Sequence, residues 1–242
     1  MKGPETRLYL LDIEGTVAPI SFVTETLFPY ARAHFPDFLK AHLEDPEVRD
    51  DLALLDRENR AETDPSCPYT RGDPAREPEV WLGNNLAYLF WLMDRDRKST
   101  ALKSLQGKIW KAGFERGELR STLFEDVPSA IERWSKQARV AIYSSGSVEA
   151  QQLLFHYSNF GDLTPLISGY FDTRTGVKTA SASYESIAAK MGVWTAEILF
   201  FSDAIAELDA ARAAQCHTRL VVRQGNAPVD DAHGHPRVET LG

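Results

Sequence analysis

The chain has 242 residues, of which 43% are hydrophobic and 26% charged, a composition typical of a soluble globular protein. Its formal net charge of −8 argues against a nucleic-acid or anionic membrane partner, and no stretch of the sequence approaches the length of a membrane span. Cys67 and Cys216 are too few for a disulfide framework, and the start of the chain leaves no room for a signal peptide. We therefore expect a cytoplasmic protein without nucleic-acid or membrane partners.

The first half of the chain predicts one strand followed by helices. The apolar run Leu8–Leu11 is short enough for a single buried strand. Apolar residues at steps of three and four then indicate four helices, and a loop rich in Pro, Asp and Gly at residues 64–77 separates the second from the third. The predicted helices are Thr24–His42, Glu47–Arg60, Pro78 through Trp91, and Thr100–Arg116.

From about residue 122 the chain alternates between helices and strands. The predicted strands are Arg139–Tyr143, Ile198–Phe201 and Arg219–Val222, and the predicted helices are Pro128–Gln137, Val148–His156, Ala182–Met191 and Ala204–Ala214. Strands separated by helices form parallel, doubly wound sheets. We therefore predict a doubly wound α/β core at residues 1–20 and 121–242, interrupted after its first strand by an all-helical insertion at residues 21–120. The polar tail after Gln224 is left unassigned, and its Asp230, Asp231, His233 and His235 are interpreted as loop residues.

Two carboxylates follow the first predicted strand. Asp12 and Glu14 are two positions apart, so in an extended segment their side chains point the same way. Two neighbouring carboxylates repel each other unless a cation lies between them or one is protonated. The pair therefore suggests a divalent-metal site for phosphoryl chemistry, although an acidic turn with a helix cap would explain these two residues equally well.

Polar residues also follow the later strands, where ligands bind in sheets of this kind. Ser144, Ser145 and Gly146 precede a helix and could hold an anion, or could simply cap that helix. Lys178 lies in a turn before the next helix and could bind a phosphate. Asp203 follows another strand and would bring a third carboxylate to a site suited to Mg²⁺.

The order of these residues resembles the haloacid dehalogenase superfamily of aspartyl-phosphate enzymes, and the helical insertion resembles its cap domain. Longer strings resemble the enolase-phosphatase family of methionine salvage, in particular Leu10–Thr16, Phe28–Tyr30, Leu102–Gly107, Tyr143–Gln151 and Gly225–Ala227. Most phosphatases of the superfamily have Asp where this chain has Glu14, which favours the enolase-phosphatase branch. Ser202 stands where that family is expected to have Thr, and it retains the hydroxyl.

The resemblance implies a role for each candidate residue. Asp12 would be the nucleophile that forms an aspartyl-phosphate, and one Mg²⁺ would be bound by Asp12, Asp203 and position 14, through either the Glu14 side chain or its main-chain carbonyl. Glu14 could also act as general acid and then as general base. Ser144 and Lys178, with backbone N–H groups around Ser145 and Gly146, would hold the phosphoryl group.

The resemblance also implies the substrate. A monomeric, bifunctional enzyme would enolise 2,3-diketo-5-methylthiopentyl 1-phosphate and then dephosphorylate it to the acireductone 1,2-dihydroxy-3-keto-5-methylthiopentene. Glu14 is the first candidate for the enolisation base, and Phe22, Phe28 or Trp91 could contact the methylthio tail. The alternatives are a general phosphatase of the superfamily that acts on another small phosphate ester, a phosphoacceptor receiver module, which the long helical insertion disfavours, and an inactive scaffold, which the complete set of polar residues disfavours.

Overall fold

The computed structural model describes residues 5–229 and 234–242, so Asp230, Asp231 and His233 lie outside the described residues. It divides into two compact units. The first, here called the α/β unit, consists of Met1–Thr24 and Gly117–Gly242, and the second, the helical unit, is Glu25–Arg116. Both boundaries lie four residues inside the predicted insertion, at 24/25 instead of 20/21 and at 116/117 instead of 120/121.

The described residues contain six β-strands and eight α-helices. A π-helix, Phe22–Leu27, precedes α1, and single 3₁₀ turns occur at Thr164–Leu166 and Thr195–Glu197. In chain order the regular elements are β1 (Leu8–Leu11), α1 (Phe28–His42), α2 (Pro46–Ala61), α3 (Pro78–Asp94), α4 (Thr100–Glu115), α5 (Val127–Ser135), β2 (Arg139–Tyr143), α6 (Val148–His156), β3 (Gly169–Phe171), α7 (Ser181–Met191), β4 (Ile198–Ser202), α8 (Ile205–Ala213), β5 (His217–Val221) and β6 (Arg237–Val238).

The observed elements agree with most of the predicted ones. The bounds of β1, β2 and α6 are as predicted, whereas the predicted helix Thr24–His42 is a π-helix followed by α1, with Pro29 in the first turn of α1. The strands β3 and β6 were not predicted. They contain three and two residues respectively, too few to show a periodicity.

All six strands are parallel and form one sheet in the order β3-β2-β1-β4-β5-β6, which confirms the predicted doubly wound α/β fold. β1 lies near the centre, with Leu10 opposite Ala141 on β2 and opposite Phe200 on β4. These three side chains are fully buried, as expected for a strand with helices on both sheet faces. The residue that follows β1 is therefore at the middle of the carboxyl edge.

The helical unit has a separate core. Ala31, Phe35 and Leu39 recur at steps of four on α1 and are fully buried, in one cluster with Leu55 of α2 and Leu105 of α4. Trp91 also belongs to this cluster, where it packs near Tyr88. Among the described helices, none combines the length and the apolarity needed to cross a membrane.

The C-terminal segment is tied to the α/β unit by a buried arginine. Arg223 makes two hydrogen bonds of 2.9 Å to the two carboxylate oxygens of Asp126, and one of 2.7 Å to the main-chain oxygen of Glu239. The same carboxylate accepts a 2.6 Å hydrogen bond from the Leu241 N–H. Burial alone would raise the pKa of Asp126, but the hydrogen bonds and the charge of Arg223 hold it below the ordinary value.

We expect Asp126→Asn to lower the free energy of unfolding by about 1–3 kcal/mol at pH 7, the usual contribution of a hydrogen bond to a charged group. Because the folded-state pKa of Asp126 is depressed, its contribution is complete above the unfolded value of about 4 and is lost as the pH falls through the folded-state pKa. Urea unfolding at pH 7 and at pH 3 should show a difference from wild type that narrows at the lower pH. The matched control is Glu125→Gln, at the exposed neighbouring position, and a difference independent of pH would contradict the prediction.

Two glycines of α4 offer a test of packing in the helical unit. A Cβ at Gly113 would lie 2.6 Å from the Tyr30 hydroxyl oxygen, which itself accepts a 3.1 Å hydrogen bond from Arg116. A Cβ at Gly107 would meet no atom within 4 Å. We expect Gly113→Ala to lower the free energy of unfolding by about 1–3 kcal/mol and Gly107→Ala to raise it by about 0.5–1 kcal/mol. Thermal and urea unfolding measure both, and equal effects at the two positions would contradict this packing.

Candidate active site

The centre of the site is an ion pair at the carboxyl edge of β1. Lys178 Nζ lies 2.5 Å from Asp12 Oδ1 and 2.7 Å from Glu207 Oε2, with only 10% of its side chain exposed. Ser202, the last residue of β4, places its hydroxyl 3.2 Å from Asp12 Oδ2 and 2.9 Å from Glu207 Oε2. One lysine and one serine thus join Asp12 to the first turn of α8.

The second predicted carboxylate lies beside the predicted anion-binding loop. Ser144 donates a 3.3 Å hydrogen bond to Glu14 Oε2, and its own oxygen accepts a 3.2 Å bond from the Gly146 N–H. That N–H is therefore engaged within the loop, whereas we expected it to face the phosphoryl group. The helix cap of α6 is Ser147, whose hydroxyl accepts from the Ala150 N–H. Ser144 and Ser145 are thus not the capping residues.

The loop that carries Ser144 and Ser145 is fixed by the buried Gln151. Its side-chain amide donates hydrogen bonds of 2.9 Å to the main-chain oxygens of Gly146 and Phe171. The loop is therefore bonded to the end of β3 as well as to its own helix. Gln151 belongs to one of the strings that resemble the enolase-phosphatases, but its role became visible only through these contacts.

The loop that carries Lys178 is held by tyrosines of the core. Tyr143, at the end of β2, donates a 2.9 Å hydrogen bond to the Gly176 main-chain oxygen. The hydroxyl of Tyr184 lies 2.7 Å from the main-chain oxygen of Lys178 itself and 3.0 Å from that of Glu207. The main chains on both sides of the Lys178–Glu207 pair are therefore fixed to one buried side chain.

Asp203 follows β4 and packs against the turn after Glu14. A Cβ built at Gly15 would lie 2.3 Å from Asp203 Oδ2, and Gly15 has a φ of +70°. Only glycine satisfies both conditions, because it has no side chain and adopts positive φ without strain. Asp203 is thus brought directly against the loop that carries Asp12 and Glu14.

The site has more acids than bases. Burial and the neighbouring Asp12 raise the pKa of Glu14, raise that of Asp203 to about 6 and raise that of Glu207 to about 7. Burial disfavours the charged form of Lys178, but Asp12 and Glu207 outweigh this and raise its pKa. One ammonium group therefore faces four carboxyl groups, which leaves an excess of negative charge that a bound cation would neutralise.

The carboxylate oxygens of Asp12, Glu14 and Asp203 are the kind of ligand that a hard cation such as Mg²⁺ prefers. Within residues 5–229 and 234–242, no three His, Cys, Asp or Glu side chains are already grouped as a metal site. Asp12 Oδ1 is bonded to Lys178, and the Glu14 carboxylate is directed to Ser144. The assignment of Asp12, Glu14 and Asp203 as metal ligands therefore stays a prediction.

Sequence reasoning missed two residues that contact this site. Glu207 lies in the first turn of α8, only four positions after Asp203, and this acidic residue at the start of a helix that follows a candidate carboxylate was a signal that could have indicated it. Asn226 donates a 3.0 Å hydrogen bond to the Gly15 main-chain oxygen. Asn226 lies in one of the strings that resemble the enolase-phosphatases, but more than 200 positions separate it from Gly15, so no local pattern in the sequence indicates the contact.

Comparison with known proteins agrees with the fold. A family model for haloacid dehalogenase-like hydrolases matches residues 6–215. The enolase-phosphatase E1 of Synechococcus elongatus is 52% identical over 91% of this chain and 90% of its own length. That of Serratia proteamaculans is 46% identical over 96% of this chain and 93% of its own. The crystal structure of the UTR4 protein of Saccharomyces cerevisiae is 37% identical, with a TM-score of 0.77 and 98% of both chains covered.

These matches are long and specific enough to define both the class and the family. The α/β unit with its acidic carboxyl edge is that of a haloacid dehalogenase-like hydrolase, and the relatives at 46–52% identity cover nearly the whole chain. The chain therefore belongs to the haloacid dehalogenase-like hydrolases and, within that class, to the enolase-phosphatase family.

We expect Lys178→Met to lower the free energy of unfolding by about 3–5 kcal/mol at pH 7, because Asp12 and Glu207 would remain buried without their shared partner. At pH 5 the penalty should be smaller. Asp203 and Glu207, whose pKa values are raised to about 6 and about 7, are then protonated and no longer repel Asp12. Urea unfolding at both pH values provides the measurement. Lys190→Met, at an exposed lysine of α7, is the control and should change the free energy by less than about 0.5 kcal/mol. A Lys178→Met protein as stable as wild type at pH 7 would refute this interpretation of the ion pair.

Proposed function

We propose that this chain is a bifunctional enolase-phosphatase that enolises 2,3-diketo-5-methylthiopentyl 1-phosphate and then dephosphorylates it to the acireductone 1,2-dihydroxy-3-keto-5-methylthiopentene. The observation that carries the proposal is the position of Asp12, at the centre of the carboxyl edge and bonded to Lys178 and Ser202. The family membership and the identity of 46–52% to proteins named enolase-phosphatase E1 support the specific reaction.

In the dephosphorylation half, Asp12 acts as the nucleophile. A carboxylate oxygen of Asp12 forms a bond to phosphorus as the bond from phosphorus to the substrate oxygen breaks. The protonated Glu14 gives its proton to the departing oxygen, consistent with the raised pKa of this buried side chain. Glu14 then takes a proton from water, which attacks phosphorus, releases inorganic phosphate and restores Asp12.

Lys178 and Ser144 orient the phosphoryl group. The Lys178 ammonium stays charged because of its pKa and lies against the nucleophile, so it attracts the phosphoryl oxygens toward Asp12. The Ser144 hydroxyl, which contacts Glu14, donates to a phosphoryl oxygen in the complex. Phosphatases of this superfamily generally use Mg²⁺; held by Asp12, Asp203 and an oxygen of residue 14, one such ion would neutralise phosphate charge and polarise a substrate carbonyl.

In the enolase half, Glu14 is our candidate for the base. Ionised Glu14 removes a proton from C1, the carbon that bears the phosphate, and the electron pair passes to the C2 carbonyl oxygen. Glu14 then carries the proton that the departing oxygen needs in the next step. One carboxyl group beside the nucleophile would thus connect the two half-reactions, and its raised pKa favours the protonated form that the second of them needs.

The helical unit supplies the cap in this proposal. Of the three aromatic residues expected near the methylthio tail, Phe22 and Trp91 are buried, whereas 37% of Phe28 is exposed. Among these three, Phe28 therefore has the most surface available to an apolar ligand. We further propose that the protein is a monomer. The two free cysteines, Cys67 and Cys216, are in keeping with a reducing compartment.

The assay that tests the proposed function measures phosphate release from the diketo-methylthiopentyl phosphate, with Mg²⁺ and with a chelator, while ultraviolet absorbance follows the enol. We expect metal-dependent release with a transient enol signal. Release from other phosphate esters but not from this substrate would leave a general phosphatase of the superfamily as the better description.

We expect Asp12→Asn to abolish phosphate release, because the amide is not a nucleophile, while the enol signal persists if Glu14 is the enolisation base. Asp12→Asn changes no volume, so the circular dichroism spectrum should match that of wild type. Asp203→Asn is the companion variant. It keeps the nucleophile, and its phosphate release should no longer be stimulated by Mg²⁺. Phosphate release by Asp12→Asn at the wild-type rate would disprove the assignment of the nucleophile.

A further inference from the structure

The turn that follows Asp12 is held by two side chains from a distant part of the chain. Asn226 donates its side-chain amide to the main-chain oxygen of Gly15 at 3.0 Å. Arg223 donates to the next carbonyl, that of Thr16, at 3.2 Å from Nη2 and 3.3 Å from Nε. Two consecutive carbonyls of the catalytic turn are thus bonded to a segment of four residues that follows β5.

These two side chains are themselves fixed to the sheet and to its surroundings. The amide of Asn226 also lies 3.2 Å from the main-chain oxygen of Val221, the last residue of β5. The guanidinium of Arg223 is bonded to Asp126 at 2.9 Å and stacks over the ring of Phe124. Asn226 is thus bonded to the end of β5, and Arg223 to the residue that precedes α5, so a shift of the turn would break part-buried hydrogen bonds to both.

The turn needs such an anchor because of its charge. Asp12 and Glu14 flank Ile13, and Asp203 packs so closely on Gly15 that a Cβ there would lie 2.3 Å from its carboxylate. The side-chain oxygen of Asn226 lies 2.9 Å from the same Cβ position. Like charges push the turn away from Asp203, and the bonds from Asn226 and Arg223 oppose that displacement.

We propose that Asn226 and Arg223 are positioning residues that hold the Gly15–Thr16 turn, so that Asp12, position 14 and Asp203 keep the spacing that the reaction and a divalent cation require. Neither residue touches the reacting atoms. The proposal rests on the proposed function for its kinetic consequence, whereas the consequence for metal affinity and for the local dynamics of the turn does not depend on the substrate.

The test compares Asn226→Ala with Gln224→Ala, an exposed position in the same segment that carries no bond to the turn. We expect Asn226→Ala to lower kcat for phosphate release roughly ten- to a hundredfold, the usual cost of a small misplacement, with KM changed less than about twofold. Calorimetric titration with Mg²⁺ alone should show weaker binding to Asn226→Ala. Amide hydrogen exchange should be faster in the peptide that covers residues 12–18 and unchanged in β2 and β4.

Arg223→Lys provides the second variant, because it keeps the charge but cannot reproduce the paired geometry toward Asp126 and Thr16. It should lower kcat and Mg²⁺ affinity in the same direction as Asn226→Ala. Gln224→Ala should behave as wild type in all three measurements.

The outcomes separate the proposal from a purely structural role and from failure of the proposed function. Wild-type kcat, Mg²⁺ affinity and exchange in Asn226→Ala would overturn the proposal, and so would faster exchange over the whole α/β unit with a lowered melting temperature. If the wild-type chain releases no phosphate from the diketo substrate, the proposed function fails. In that case weaker Mg²⁺ binding and local exchange in Asn226→Ala would still support the positioning role.

Discussion

The arrangement of the site depends on the buried ion pair between Lys178 and Asp12. Four carboxyl groups interact within one water-poor region, and without an ammonium among them their mutual repulsion would oppose folding. Lys178 satisfies two of them directly, and the tyrosines of the core hold the main chain that presents it. The nucleophile of the proposed reaction is therefore oriented by the same contact that makes its burial tolerable.

The parallel sheet explains why these groups meet. β1 lies between β2 and β4, so the residues that follow the three strands converge at one edge although about 130 and 190 positions separate Asp12 from Ser144 and Asp203. The fully buried strands and the hydrogen-bonded loops keep this edge rigid. In the proposed reaction, where Glu14 serves both half-reactions, this arrangement would keep Glu14 in place between them.

Local patterns in the sequence predicted most of the regular elements. The bounds of β1, β2 and α6 agree with the prediction. The two strands are apolar runs, and the helix directly follows a turn of Ser and Gly residues. The sequence pattern did not predict the short strands β3 and β6, because their conformation depends on pairing with a neighbouring strand more than on their own residues. The predicted helix Thr24–His42 includes only residues 24–27 of the π-helix Phe22–Leu27, because Leu27 continues the apolar spacing of α1.

The sequence by itself determined the fold class, the family and the candidate residues. Asp12, Glu14, Ser144 and Asp203 each follow a strand whose pattern is local, and Lys178 lies in a turn before a helix whose pattern is local. Only the tertiary structure decided how these residues pair: that Lys178 bridges to Glu207, that Glu14 turns toward Ser144, and that Asn226 holds the Gly15 carbonyl. Such pairings join elements that are distant in the chain. They follow from the order of strands in the sheet and from the need of each buried polar group for a partner, and neither can be read from neighbouring residues.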